Sequence, residues 1–76
     1  MVKLFVTVAC PYCYTLKEFL KEHNIEFEEV DVGKNRERAV EMVEKSGQMG
    51  VPVTDIDGEI VIGFDVSRLK ELLKIK

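Results

Sequence analysis

Val2-Lys3-Leu4-Phe5-Val6-Thr7-Val8-Ala9-Cys10-Pro11-Tyr12-Cys13 is the stretch on which the reading of the fold turns. Val2 to Val8 is a nearly continuous apolar run rich in β-formers, as expected for a central strand buried on both faces. The chain's only two cysteines follow it, three positions apart. Pro11 between them suits the first turn of a helix, where its missing N–H is not needed. Two thiols at a strand-to-helix junction can open and close a disulfide without moving the rest of the chain. The loop so closed is tiny, so the bridge removes little entropy from the unfolded chain and is a poor structural staple. The motif therefore reads first as a redox-active dithiol.

Working outward, Leu16, Phe19 and Leu20 recur at helical spacing up to His23, with Asn24 a left-handed stop. Glu26 to Val32 reads as a second strand with Ile25, Phe27, Val30 and Val32 as its apolar set. Asn35 is a candidate N-cap for a second helix whose expected buried stripe is Ala39, Val40 and Val43, closed by Gly47. Val51 to Ile56 reads as a third strand, Asp57-Gly58 as a hairpin turn and Ile60 to Ile62 as a fourth strand. Asp65 then caps a last helix with Val66, Leu69, Leu72 and Leu73 on one face. The order is β-α-β-α-β-β-α, with a right-handed crossover making the first two strands parallel. Pro52 in the third strand calls for a free edge or an unusual peptide bond.

Residues 1–76 read as one domain, small enough to need a well-packed core. With 33% charged residues and no apolar run near the roughly 18 a spanning helix needs, no membrane association is expected. The apolar stretch after Met1 is too short for a signal peptide, so it reads as a strand and the cytoplasm as the compartment. A net charge of −3 gives no reason to expect nucleic-acid binding.

Three elements, in this order and spacing, resemble the glutaredoxins over essentially the whole length: Cys10-Pro11-Tyr12-Cys13, Gly50-Val51-Pro52 and Gly63-Phe64-Asp65. The resemblance implies an α/β thioredoxin-like fold, with a four-stranded mixed sheet flanked by three helices. It implies a cis proline at Pro52 beside the active cysteines, and a glutathione contact around Gly63 and Asp65. Two positions depart from the family pattern. Phe64 stands where a second glycine is usual, and Thr7 where many members carry a lysine that pairs with a glutathione carboxylate. Lys17 and Lys3 are the candidate replacements. These departures point toward weak glutathione dependence.

At a helix N-terminus Cys10 faces unsatisfied N–H groups and the positive end of the helix dipole, so a depressed pKa is expected. A free thiol with pKa about 8.5 is only about 3% ionised at pH 7. Full ionisation gains roughly 1.5 log units of rate, but a drop of about 3.5 pKa units at a Brønsted slope near 0.45 costs a similar amount of nucleophilicity. The advantage is that Cys10 becomes a better leaving group. The expected mechanism has Cys10 attack a substrate disulfide and Cys13 resolve the mixed disulfide.

Pro11 would stiffen the motif, and Tyr12 offers either an aromatic flank for substrate or a plain surface residue. Val51 would pair its backbone with an extended substrate. Asp65 reads equally as an N-cap or a ligand contact. Met49 and Phe64 read as packing residues or as an apolar rim with Tyr12 and Val51. His23 reads as a capping residue, and Asp55 and Asp57 as turn residues. The expected partners are disulfide-containing proteins or small molecules, acted on by a monomer with no bound cofactor. Glutathione or thioredoxin reductase would supply electrons. The alternatives are a thioredoxin-reductase-coupled electron donor and, from another class, an iron–sulfur or metal-binding module. One C-x-x-C supplies only half of a tetrahedral metal site.

Overall fold

A computed structural model describes residues 2–74. Its elements are β1 (Val2–Val6), α1 (Pro11–Glu22), β2 (Phe27–Asp31), α2 (Arg36–Ser46), β3 (Val53–Ile56), β4 (Glu59–Ile62) and α3 (Val66–Leu73). They form the expected architecture of three helices on a four-stranded mixed sheet, with strand order β2-β1-β3-β4. β1 runs parallel to β2, with Val2 opposite Phe27 and Val6 opposite Asp31. It runs antiparallel to β3, and β3 antiparallel to β4, so the C-terminal hairpin extends the sheet. At the hairpin tip Asp57 and Gly58 both take positive φ, 51° and 97°, as a tight two-residue turn requires.

The period of two along β1 divides the core. Val2, Leu4 and Val6 face one side, where they join Cys13, Leu16 and Leu20 of α1 and Leu69 of α3 in one apolar cluster. Phe5 faces the other side and packs with Val30, Val53 and Met42 of α2. Each helix is capped as its sequence suggests. Asn35 and Asp65 side chains each accept a backbone N–H three residues on, at 3.2 Å, from Arg38 and Arg68. Gly47 ends α2 in the left-handed region at φ 75°, and Asn24 follows α1 at φ 57°.

Four sequence expectations need correction. β1 ends at Val6, because its pairing with β2 stops at Asp31 and with β3 at Val53; Val8 is 85% exposed in a turn. On α2 the buried residue is Met42, whereas Val40 is half exposed. The stripe runs through Ala39, Met42 and Val43, which leaves Val40 about 100° away from Ala39. β3 starts at Val53 rather than Val51, since Pro52 has no N–H to offer the ladder. Of the free edge or unusual bond expected at Pro52, the unusual bond is found: β3 lies between β1 and β4, and the Val51–Pro52 bond is cis, as the resemblance implied.

The fourth correction concerns Asp55, which is more than a turn residue. It is buried on the α2 side, bonded to Lys45 at 2.6 Å and to the Gly58 N–H at 2.8 Å. Lys45 also reaches Glu41 at 3.2 Å, and Glu41 in turn meets Arg38 at 2.8 Å and Lys3 at 3.5 Å. The Arg38 hydrogen bond is the main reason the Glu41 carboxyl is lowered to about 2; partial burial opposes it, and Lys45 and Lys3 add to it. For Asp55, burial pushes the pKa up, but Lys45, the Gly58 N–H and the Lys3 charge outweigh it and leave the group below its ordinary value.

Candidate active site

The end of β1 delivers the chain to the N-terminus of α1 through Thr7, Val8 and Ala9. Cys10 is the N-cap, with extended backbone at φ −101° and ψ 108°, and Pro11 occupies the first helical position. The N-cap oxygen of an ordinary helix is here replaced by sulfur: the Cys13 N–H donates to Cys10 Sγ at 3.1 Å. Cys13 lies one turn along and is 2% exposed, held in the apolar cluster by Leu16 and the β1 side chains. The two sulfurs are bonded to each other, with Cα atoms 5.2 Å apart, within the ordinary disulfide range. The pair is thus unequal: Cys10 is partly exposed, and Cys13 is sealed beneath it.

The other expected residues fall around this point unequally. Val51 and Phe64 pack, partly buried, against the same cluster as Cys10 and Cys13. Pro52 is buried, and its carbonyl accepts the Gly63 N–H at 2.8 Å, tying the proline turn to the start of the last loop. Gly63 takes φ 75°, a conformation that favours glycine. Phe64 sets its ring edge-on to Phe19 of α1, centroids 5.9 Å apart, and Phe19 also meets the His23 ring at 4.6 Å, tilted by 59°. Asp65 is the cap of α3. Tyr12 is 64% exposed. Met49 is not drawn into this group; it lines an apolar hollow with Ala39, Val40 and Val43 of α2.

Three contributors were not foreseen from sequence. The Gln48 side chain clamps Gly50, accepting its N–H at 2.6 Å and donating to its carbonyl at 2.9 Å, directly before Val51-Pro52. A Cβ on Gly50 would meet Gln48 Oε1 at 2.7 Å, so the clamp requires glycine there. The other two are Glu29 and Asp31 of β2. With Thr7, Cys10, Cys13 and Lys17 they line a depression of about 250 Å³ beside the cysteines. Lys17 lies in this depression, bonded to Glu29 at 3.1 Å, whereas Lys3 is on the opposite side of the sheet with Glu41. Charge at Glu29 and Asp31 reads in the sequence as the solvated positions of a half-buried strand, with nothing to mark it as facing the cysteines. Among the described residues no group of three or more His, Cys, Asp or Glu could hold a metal ion, and no helix is long and apolar enough to cross a membrane.

Comparison with known proteins agrees with this geometry. The glutaredoxin family model matches residues 2–61. An uncharacterized glutaredoxin-like 8.6 kDa protein in the rubredoxin operon of Clostridium pasteurianum is 40% identical over 74 residues, covering 97% of this chain and 99% of that one. Glutaredoxin 3 of Escherichia coli K12 is 31% identical, over 84% of this chain and 77% of its own. Among solved structures, the thioredoxin-like protein BC3987 superposes with a TM-score of 0.89 at 33% identity, covering 95% of this chain and 99% of its own.

Proposed function

The chain belongs to the glutaredoxin family, and from that premise we propose that it is a small dithiol thiol–disulfide oxidoreductase. The observation that carries this reading is the unequal cysteine pair: Cys10 partly exposed with an N–H aimed at its sulfur, Cys13 buried one turn below. A bulky substrate reaches the first sulfur and not the second. The Cys10 thiolate attacks a substrate disulfide, whose S–S bond breaks; one substrate thiolate leaves and takes up a proton. Cys13 then loses its proton and attacks Cys10 Sγ, expelling the second substrate thiol and leaving the bridge. The substrate gains two electrons, and the dithiol loses two. The Cys13 N–H stabilises Cys10 both as attacking and as departing thiolate.

Tyr12, Val51 and Phe64 form the surroundings of the incoming sulfur in this mechanism, with Pro11 stiffening the motif. Gly63 and Asp65 act one step behind, through the Pro52 bond and the helix cap. Under this reading the protein works as a monomer in the reducing cytoplasm on disulfide-containing proteins or small molecules, without nucleic acid, membrane or a bound cofactor. Electrons to reopen the bridge come from glutathione or from thioredoxin reductase. Thr7 and Phe64 favour the second, and so does the engagement of Lys17 by Glu29. The metal-binding alternative has less support, because one C-x-x-C offers only half of a tetrahedral site.

The test is NADPH-coupled reduction of a small mixed disulfide, run once with glutathione and its reductase and once with thioredoxin reductase. Turnover is expected in at least one arm and is abolished by Cys10→Ser. Cys13→Ser keeps the glutathione arm, which needs one thiol, and loses the reductase arm. Silence in both arms, with the bridge irreducible by either, overturns the oxidoreductase reading.

A further inference from the structure

We infer that Glu29 is a specificity-determining residue that biases the site against anionic disulfides and toward disulfides flanked by a positive charge; this rests on the dithiol reading above. Any group attached to Cys10 borders the depression lined by Thr7, Cys10, Cys13, Lys17, Glu29 and Asp31. Its one cation among the described residues, Lys17, is held by Glu29 at 3.1 Å. Asp31 is fixed in place by the N–H groups of Gly33 at 2.9 Å and Lys34 at 3.2 Å, which accounts for its position but leaves its negative charge in the wall. Lys34 and Arg38 line a neighbouring hollow along β2 and not this one. The wall is therefore acidic by one unit, and its single lysine is already engaged.

An incoming carboxylate meets Asp31 and must compete with Glu29 for Lys17. An incoming ammonium or guanidinium competes with Lys17 for Glu29 in the same way, but meets in Asp31 an attractive charge rather than a repulsive one. Glutathione, with two carboxylates against one ammonium, is on the disfavoured side. The interaction is solvent-exposed, so it selects by modest factors and weakens with salt.

The experiment uses the reduced full chain and three small disulfides of different charge: cystamine, a dication; 2-hydroxyethyl disulfide, neutral; and dithiodiglycolate, a dianion. Each oxidises the dithiol, the protein giving up two electrons and two protons and the disulfide becoming two thiols. Second-order rate constants are divided by those of the same disulfides with 2-mercaptoethanol, which removes differences in leaving group. The normalised order expected is cystamine, hydroxyethyl disulfide, dithiodiglycolate. Glu29→Gln releases Lys17 and should shrink the cystamine-to-dithiodiglycolate ratio by about threefold. Lys17→Met leaves both carboxylates unopposed and should enlarge it by about the same factor. Salt at about 0.5 M should flatten all three proteins toward one ratio. A ratio that both variants leave unmoved, or move in the same direction, overturns the inference while leaving the dithiol chemistry standing. Failure of every disulfide to oxidise the cysteines overturns the dithiol reading itself, and the inference with it.

Discussion

The two sides of the sheet are built on different principles. Beneath α1 and α3 the packing is almost wholly apolar, from Val2, Leu4 and Val6 through Leu16, Leu20 and Leu69, and Cys13 is part of it. Beneath α2 a smaller apolar group, Phe5, Val30, Met42 and Val53, is bordered by linked charges running from Asp55 through Lys45 and Glu41 to Lys3 and Arg38. The cysteines sit on the apolar side. The charged side fixes where α2 lies on the sheet, and the loop that leaves α2 leads to Val51 and Pro52. Val51, in that loop, packs against both apolar groups and so joins the two sides.

The largest effect that would separate the two sides is cavity formation. Leu20→Ala should cost about 2–5 kcal/mol in denaturant unfolding, enough to threaten folding in a chain this short. Met42→Ala should fall at the lower end of that range, since half-buried ion pairs around it can relax into the space. Equal losses would erase the distinction. Acid is the next lever. Glu41 and Asp55 are both lowered relative to the unfolded chain, so their stabilisation is present above the ordinary carboxylate range and lost as pH falls through their folded values. For Glu41 that window extends down to about 2. Unfolding free energies from urea titrations across it should fall for the parent, by on the order of 1–2 kcal/mol in total, and fall less steeply for Glu41→Gln.

A smaller test concerns a buried hydroxyl on the apolar side. Thr54 is fully buried opposite Leu4 and Val61, and its hydroxyl has no hydrogen-bond partner among the described residues. Thr54→Val should raise stability by about 1 kcal/mol, read as a higher urea midpoint with unchanged slope. A loss of stability would mean that this side is less dry than its composition suggests. Smallest of all, Val40→Ser on the outer face of α2 should change stability by less than about 0.5 kcal/mol, because the side chain is half exposed.

The same division explains what could be read from sequence. Apolar periodicity reports burial, so the strands, the α1 and α3 stripes and the cysteine helix were all legible, as were the caps at Asn35, Gly47 and Asp65. On the α2 side the pattern was weaker. Val40 and Met42 are both apolar, and only the angle of the helix on the sheet chooses between them. Asp55 looked like a turn residue because its partner Lys45 lies in another element, and no spacing rule joins the two. Lys17 and Glu29 meet only because β2 lies beside β1. The Cys-Pro-Tyr-Cys, Val-Pro and Gly-Phe-Asp elements stood out by residue type, yet the clamp of Gln48 on Gly50 did not, being a contact of ordinary residues.

One contact made far from the sulfurs bears on how such a protein could be retuned. Phe19 lies more than two turns along the helix that Cys10 caps, and Phe64, which follows the Gly63 bonded to Pro52, rests edge-on against it. The far end of α1 and the loop bonded to Pro52 are thus held to each other by a pair of rings, and a smaller side chain at Phe19 is expected to loosen that loop without touching either cysteine.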